Sequence, residues 1–167
     1  MRASEGTGMR CTVGIAEMDI AVGVGDVIVT HALGSCLGLA VHDTVAKVGG
    51  ILHAMLPQSQ INPEKAKANP FMFVDTGVPE FFRRLYSAGA SRERLIIKVA
   101  GGAAMQRCGQ DRFNIGERNL LMLRKLLWKN NLLIAAQDVG GDIARTLYLE
   151  VGSGRAWISS ANQEWDL

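Results

Sequence analysis

The amino-acid sequence predicts an α+β fold built in layers. Segments typical of short β-strands outnumber the two segments typical of helices, and several strands precede the first helix while several follow the second. This order differs from the regular alternation of strand and helix that a parallel βαβ sheet requires. The chain has 167 residues, of which 48% are hydrophobic and 20% charged, which is typical of a domain with a buried core.

The first part of the chain is predicted to consist of strands. Residues 13–29 contain short apolar segments separated by glycines and acidic residues, and their last part leads into a strand at 27–31. Two further apolar runs, 37–42 and 49–56, are joined by a polar turn and predict a β-hairpin. Residues 57–70 are rich in proline and asparagine and predict an irregular connection.

The second part of the chain contains both predicted helices. Asp75, as a capping side chain, and Pro79 mark the start of the first helix, which Gly89 ends. The second helix covers residues 117–130, where leucines at helical spacing lie opposite arginine and lysine residues. The remaining strand patterns are residues 95–100, 132–137, 146–151 and 156–159.

Charge and cysteine content narrow the possible functions. The chain has 18 basic and 16 acidic residues, a balance that does not indicate binding to nucleic acid or to an anionic membrane. Three widely spaced cysteines argue against a disulfide framework or a zinc site and favour the reducing cytoplasm. No apolar run reaches the ~18 residues of a membrane span. We expect a flexible tail over residues 1–12 and a single domain over residues 13–167.

Cys36 is the most informative residue of the sequence. It stands between two glycines in Gly34-Ser35-Cys36-Leu37-Gly38, and His53 lies in the return strand of the predicted hairpin. A free thiol with a pKa of about 8.5 is only about 3% ionised at pH 7, and a nearby imidazole can make it reactive. The glycines leave the sulfur approachable and leave room for backbone N–H groups to face an oxyanion. The pairing therefore suggests a cysteine nucleophile with a histidine base.

The same residues also have structural interpretations. A single cysteine or histidine on an apolar strand is more often a core residue than a functional one. Composition does not choose among His31, His42 and His53. Thr30 is a common strand residue, although its hydroxyl can also hold a base imidazole in one tautomer.

The geometry of the hairpin sets a condition on the reactive pairing. In a regular register His53 pairs near Leu39 or Val41, which places Cys36 about 10 Å away along the strand. A bend at the glycines is needed to close that gap. Gly-x-Cys-x-Gly also matches the nucleophile elbow of α/β-hydrolases with sulfur in place of oxygen, but an elbow requires a helix directly after the nucleophile.

Several motifs together resemble those of a known family. Residues 30–38 (THALGSCLG), Asp43 and residues 50–57 (GILHAMLP) are similar to the signature of CheD, the chemoreceptor glutamine deamidase of bacterial chemotaxis. Shorter similar motifs follow in the family's order, at residues 73–76, 101–105, 115–119 and 138–141. Two features depart from the family pattern: His31, where a small or apolar residue is expected, and Cys108, which matches no family role.

The resemblance implies a catalytic set. The family's nucleophile matches Cys36, its base matches His53 and its third catalytic residue matches Thr30. We further expect backbone N–H groups near Cys36, together with the Ser35 hydroxyl, to stabilise the oxyanion, and we expect Gly34 and Ser35 to be the oxyanion or substrate-positioning residues. The family's fold implies packed mixed β-sheets flanked by helices, similar to toxin-type cysteine deamidases, and the reaction requires no metal and no other cofactor.

The resemblance also implies partners and a reaction. The substrate is expected to be glutamine side chains of the cytoplasmic helical bundles of chemoreceptors, hydrolysed to glutamate by a protein-glutamine glutaminase in the cytoplasm. A CheC-type phosphatase is the second expected partner, and glutamyl methyl esters are a further possible substrate. Two alternatives stay open: a binding module that regulates the phosphatase without catalysis, and a cysteine hydrolase of the nucleophile-elbow type.

Overall fold

A computed structural model describes residues 2–4, 8–105 and 113–167. These segments contain eleven strands and three α-helices. The strands are β1 (Arg2–Ser4), β2 (Arg10–Val13), β3 (Met18–Gly23), β4 (Val27–Leu33), β5 (Leu37–Asp43), β6 (Val48–Ala54), β7 (Ile96–Gly101), β8 (Ile134–Val139), β9 (Arg145–Glu150), β10 (Ala156–Ser160) and β11 (Gln163–Asp166). The helices are α1 (Pro63–Ala68), α2 (Val74–Ser87) and α3 (Ile115–Lys129).

The strands form two mixed sheets. The six-stranded sheet has the order β1-β3-β6-β5-β7-β8, and the five-stranded sheet has the order β11-β10-β9-β4-β2. Each sheet combines parallel and antiparallel pairs; the parallel ones are β1 with β3, β7 with β8, and β2 with β4. The predicted hairpin is present, because β5 and β6 are antiparallel neighbours at the centre of the six-stranded sheet.

The six-stranded sheet is covered on both faces. Along β5, Leu37, Leu39 and Val41 pack with apolar side chains of α2 and α3, while Ala40 belongs to a second apolar cluster shared with the five-stranded sheet. Side chains alternate between the faces of a strand, so this division separates a helix-facing side from a sheet-facing side. The layers are therefore helices, six-stranded sheet and five-stranded sheet, and the predicted α+β layered fold is confirmed.

The connection predicted to be irregular contains a helix. Pro63 occupies the first turn of α1, and the side chain of Asn62 accepts a hydrogen bond from the Lys65 N–H. A capping asparagine followed by proline is a sequence signal for a helix start, here hidden by the high density of turn-forming residues. The prediction of an irregular segment over residues 57–70 is therefore wrong for its central part.

Helix α2 starts earlier than predicted, and Asp75 is not its capping residue. It begins at Val74, so that Asp75 lies in its first turn. The Asp75 carboxylate accepts hydrogen bonds from the Ser59 N–H and hydroxyl, at 2.8 and 2.9 Å, and thereby holds the preceding connection. Pro79 lies inside the helix.

Part of the predicted N-terminal tail belongs to the sheets. Arg10–Val13 forms β2, which pairs in parallel with β4, and Arg2–Ser4 forms β1, which pairs with β3. Residue-level patterns missed both strands because each is short and half of β2 is exposed. A flexible tail over all of residues 1–12 is therefore not what the structure shows.

The turn between β5 and β6 is held by a buried carboxylate. Asp43 is fully buried and accepts hydrogen bonds from three backbone N–H groups and from the Arg94 guanidinium. Burial raises the pKa of Asp43, but the Arg94 guanidinium and the N–H groups of Ala46 and Ser91 outweigh burial and hold the pKa well below its usual range. This carboxylate joins the hairpin that carries His53 to the segment before β7.

Replacing Asp43 by alanine is expected to lower the free energy of unfolding by about 3 kcal/mol, because three backbone N–H groups lose their buried acceptor and the Arg94 guanidinium loses its partner. Urea denaturation measures this change. Asp142→Ala, at an exposed position, is the control and is expected to stay within about 0.5 kcal/mol of the wild type. Equal effects of the two substitutions would contradict the role assigned to Asp43.

Candidate active site

The predicted site residues lie at the layer between the two sheets. Thr30 is on β4 of the five-stranded sheet, His53 is on β6 of the six-stranded sheet, and Cys36 immediately precedes β5. His53 is on the same side of β6 as Ile51, a member of the apolar cluster between the sheets, and Cys36 packs against that cluster. Thr30 and His53 are fully buried, whereas Cys36 is partly exposed.

The Thr30 hydroxyl connects the two sheets through hydrogen bonds. It donates to the Val13 carbonyl at 2.8 Å and lies 2.7 Å from Nδ1 of His53. A hydroxyl has a single hydrogen, so with that hydrogen on Val13 the Thr30 oxygen can only accept from the imidazole. His53 is therefore the tautomer with its proton on Nδ1, and Nε2 carries the lone pair.

Nε2 of His53 is the free end of this chain of hydrogen bonds. The atom is buried and has no hydrogen-bond partner among the described residues. Burial lowers the pKa of His53 from 6.5 to about 4, so the imidazole is neutral at pH 7. A neutral imidazole with a fixed tautomer and an unpartnered lone pair has the properties of a general base.

The register of the hairpin brings Cys36 closer to His53 than the sequence predicted. His53 pairs with Gly38, not with Leu39 or Val41. Cys36 is therefore two residues from the position opposite His53, or about 6.6 Å along the strand at ~3.3 Å per residue. The predicted register was wrong because the hairpin closes with Asp43 opposite Val48, which places Gly38 opposite His53.

A bend at residues 34–36 precedes β5, as the sequence required, but the glycines do not produce it through unusual dihedral angles. The residue with left-handed backbone is Ala32, at φ 59°, where β4 shifts its register against β9. Gly34 and Gly38 are not among the residues with positive φ. Gly38 is needed for space instead, since a Cβ there would come within 2.7 Å of the Leu33 side chain.

All three carbonyl groups of the bend accept hydrogen bonds from other parts of the chain. The donors are the Ala103 N–H to Gly34 at 2.9 Å, Asn119 Nδ2 to Ser35 at 3.0 Å, and the Gly102 N–H to Cys36 at 2.9 Å. Gly101 permits this close approach, because it has φ 103° and a Cβ would collide with the Cys36 carbonyl oxygen. The backbone around the thiol is thus fixed from β7 and α3.

The thiol and the imidazole are both neutral in the resting site. Burial raises the pKa of the Cys36 thiol above its ordinary value, and the backbone N–H of Cys36 partly offsets this by lowering it. The sequence suggested a thiol pKa lowered by the imidazole, but desolvation dominates here. The two shifts therefore favour a neutral thiol and a neutral imidazole over a resting ion pair of thiolate and imidazolium.

Asn119 is the site residue that sequence reasoning missed. It lies on α3, is fully buried, and donates from Nδ2 to the carbonyls of Ser35 and Met55, at 3.0 and 2.9 Å. An available signal was its place in the apolar stripe of the helix, four residues before Leu123. An amide at such a position is buried by the periodicity and needs partners.

The other candidates are placed away from this arrangement. His31 is exposed, 3.3 Å from the Thr146 hydroxyl, and His42 lies at the far end of β5. Cys108 falls outside the described residues. The nucleophile-elbow interpretation is wrong, because the strand β5 and not a helix directly follows Cys36.

Two general features concern the described residues as a whole. No group of three or more His, Cys, Asp or Glu side chains in these segments could hold a metal ion. None of the helices in residues 2–4, 8–105 and 113–167 has the length and apolar character that crossing a bilayer requires.

Comparison with known proteins identifies the family. The family model described as CheD chemotactic sensory transduction matches residues 55–160. The chain belongs to the CheD family. It is 46% identical over 155 residues to the probable chemoreceptor glutamine deamidase CheD of Solibacter usitatus, which covers 93% of this chain and 91% of the relative. It is 45% identical over 149 residues to the corresponding protein CheD 1 of Syntrophus aciditrophicus, covering 89% and 92%.

The similarity extends to an archaeal relative. The probable chemoreceptor glutamine deamidase CheD of Pyrococcus abyssi is 41% identical over 139 residues, which is 82% of this chain and 84% of that protein. The resemblance inferred from the motifs of the sequence is thus confirmed at the level of the family.

His53 is expected to stay neutral, with its proton on Nδ1, from pH 7.5 down to about pH 5, because its pKa in the fold is about 4. Nitrogen chemical shifts of ¹⁵N-labelled histidine measure both the charge and the tautomer. The same residue in the urea-unfolded chain is the control and titrates near the ordinary ~6.5. Thr30→Val removes the acceptor and is expected to shift the tautomer toward Nε2–H; an Nε2–H tautomer in the wild type would contradict the assignment.

Proposed function

We propose that the chain is a chemoreceptor glutamine deamidase that acts in the cytoplasm and hydrolyses the side-chain amide of receptor glutamines to glutamate. Membership in the CheD family and the names of its relatives support this reaction. The observation that carries the proposal is the hydrogen bond between Thr30 and His53, which leaves Nε2 unprotonated and unpartnered in the layer against which Cys36 packs.

In the proposed mechanism Cys36 is the nucleophile and His53 is the base. Nε2 takes the thiol proton as the sulfur attacks the carboxamide carbon, and the resulting oxyanion accepts a hydrogen bond from the Cys36 N–H. The imidazolium then gives its proton to the amide nitrogen, the C–N bond breaks and ammonia leaves. Water adds to the thioester while Nε2 takes its proton, and the C–S bond breaks to give glutamate and the thiol.

Thr30 has a distinct role in this proposal. When His53 becomes an imidazolium, the Nδ1–H continues to donate to the Thr30 hydroxyl, so the ring keeps its orientation through both proton transfers. Threonine is uncharged, and it therefore holds the ring without stabilising the imidazolium as a carboxylate would. A neutral third residue fits a site in which burial lowers the pKa of His53 to about 4.

Substrate and partners follow from the family. We propose the cytoplasmic helical bundles of chemoreceptors as substrate and a CheC-type phosphatase as a binding partner. Glutamyl methyl esters present the same acyl carbon with methanol as the leaving group, so we include a methylesterase activity. Gly34 and Ser35 are proposed to contribute to the position of the substrate, since their segment directly precedes the thiol and their carbonyls are held by hydrogen bonds from Ala103 and Asn119.

The test is deamidation of purified receptor cytoplasmic domain, followed by the mass change from amide to acid in its peptides. Cys36→Ala is expected to lower kcat/KM at least about 10³-fold, because no other group supplies the nucleophile. Acid quenching during turnover by the wild type is expected to trap a receptor thioester on Cys36. Cys11→Ala is the matched control, a second cysteine whose loss leaves the rate unchanged.

Two results would overturn parts of the proposal. Deamidation that survives in folded Cys36→Ala protein would exclude Cys36 as the nucleophile. A wild-type protein that binds and regulates the phosphatase, and never changes the mass of any receptor peptide, would instead identify a binding module.

A further inference from the structure

Asn119 holds the two ends of the hairpin that carry the thiol and the imidazole. Its Nδ2 donates to the carbonyl of Ser35, directly before Cys36, and to the carbonyl of Met55, two residues after His53. The regular pairing of β5 with β6 ends at Leu37 and Ala54. The two N–H groups of the amide therefore bridge the chain just beyond the last paired residues, two residues before Leu37 and one residue after Ala54, where the backbone ladder no longer holds the strands together.

The orientation of one peptide group follows from this contact. The peptide between Ser35 and Cys36 is trans, so its C=O and N–H point in opposite directions. Fixing the Ser35 carbonyl toward Asn119 directs the Cys36 N–H away from α3. The Cys36 N–H lowers the pKa of the Cys36 thiol. The Ala103 and Gly102 N–H groups fix the carbonyls on either side, so the peptide cannot rotate without breaking its neighbours' bonds.

The other end of the amide indicates that stability alone does not explain the residue. Oδ1 of Asn119 is buried and has no hydrogen-bond partner among the described residues. An unpartnered buried acceptor is unfavourable for folding, and a leucine of similar size would avoid it. What the asparagine provides that a leucine does not is the pair of donors on Nδ2.

We infer that Asn119 is a positioning residue of the deamidase: its side-chain amide fixes the orientation of the peptide whose Cys36 N–H donates to the substrate oxyanion, and it ties the nucleophile segment to the strand that carries the base. This inference rests on the proposed function, because it assigns the N–H a place in the reaction of Cys36. Asn119 itself touches neither the sulfur nor the substrate.

The first test uses thiol alkylation, which does not depend on deamidation. Between about pH 7 and 9 the rate of Cys36 alkylation by iodoacetamide is proportional to the thiolate fraction. Asn119→Leu is expected to slow this rate about tenfold at each pH, because the Cys36 N–H is no longer held in the orientation that lowers the pKa of the thiol. It is also expected to lower kcat for receptor deamidation about 10- to 100-fold with KM nearly unchanged, as for the loss of a donor to the transition state.

Leu123→Ala is the matched control on the same helix face. It removes buried packing without removing a donor, so it is expected to lower the unfolding temperature while leaving the alkylation profile unchanged. Folded Asn119→Leu protein with wild-type alkylation and kcat would overturn the inference. Equal slowing of alkylation by Leu123→Ala would also overturn it, because a general loss of packing would then suffice.

A second measurement needs no substitution at Asn119 and covers the case in which the variant does not fold. In ¹⁵N-labelled wild type, the Cys36 amide signal is expected to shift as the thiol ionises, and the two side-chain amide protons of Asn119 are expected to exchange slowly with solvent. A Cys36 amide signal that does not respond to ionisation would overturn the inference. These results are independent of receptor deamidation. Failure of the proposed function, shown by a fully active Cys36→Ala protein, would therefore be distinguished from failure of the inference about Asn119.

Discussion

The hydroxyl of Thr30, on the five-stranded sheet, contacts both the backbone carbonyl of Val13 and the imidazole of His53 on the six-stranded sheet. The hydroxyl donates its single hydrogen to the Val13 carbonyl and can therefore only accept from His53, which fixes the tautomer of the imidazole. Val13 is in place because β2 runs parallel to β4 with Val13 in register with Thr30. The tautomer of His53 on the six-stranded sheet thus depends on strand pairing in the five-stranded sheet. The contact between Thr30 and His53 also requires the two sheets to pack face to face.

Burial then sets the protonation states of Cys36 and His53. Removing water disfavours the charged form of both groups, so it raises the pKa of Cys36 and lowers that of His53. The two shifts are opposite in sign but have the same consequence, a neutral pair. Because the thiolate is the form that oxidants attack, a thiol kept protonated between turnovers is less exposed to oxidation than a resting ion pair. The thiol and the imidazole are then expected to become charged only when a substrate is present.

The sequence was sufficient for the parts of this structure that depend on local pattern. The hairpin of β5 and β6, the helices α2 and α3 and the layered class all follow from apolar periodicity and turn residues. The exact register did not follow, because it depends on which residues close the turn of the hairpin, here Asp43 opposite Val48, and the polar turn residues do not specify that pair. Strand β11 was missed because its turn uses Ala161, at φ 49°, where the pattern of turn residues predicts glycine or asparagine.

The site could be predicted in part for the same reason. Cys36, Thr30 and His53 stand in motifs that resemble a family, and the contact between Thr30 and His53 is present in the structure. The contribution of Asn119 was not predictable from spacing, since its partners are far away in the chain. Its position among the leucines of α3 was the available indication, and it became meaningful only once the two carbonyl partners were seen.

The distance along the chain between Asn119 and its partners has a consequence for folding. The amide reaches a residue 84 positions earlier and another 64 positions earlier. Contacts of this length form late, because the intervening chain must be ordered before they can close. A growing chain that has not yet produced α3 already contains Thr30, Cys36 and His53, but the ends of its hairpin are not yet joined. The thiol therefore reaches its final surroundings only when α3 docks.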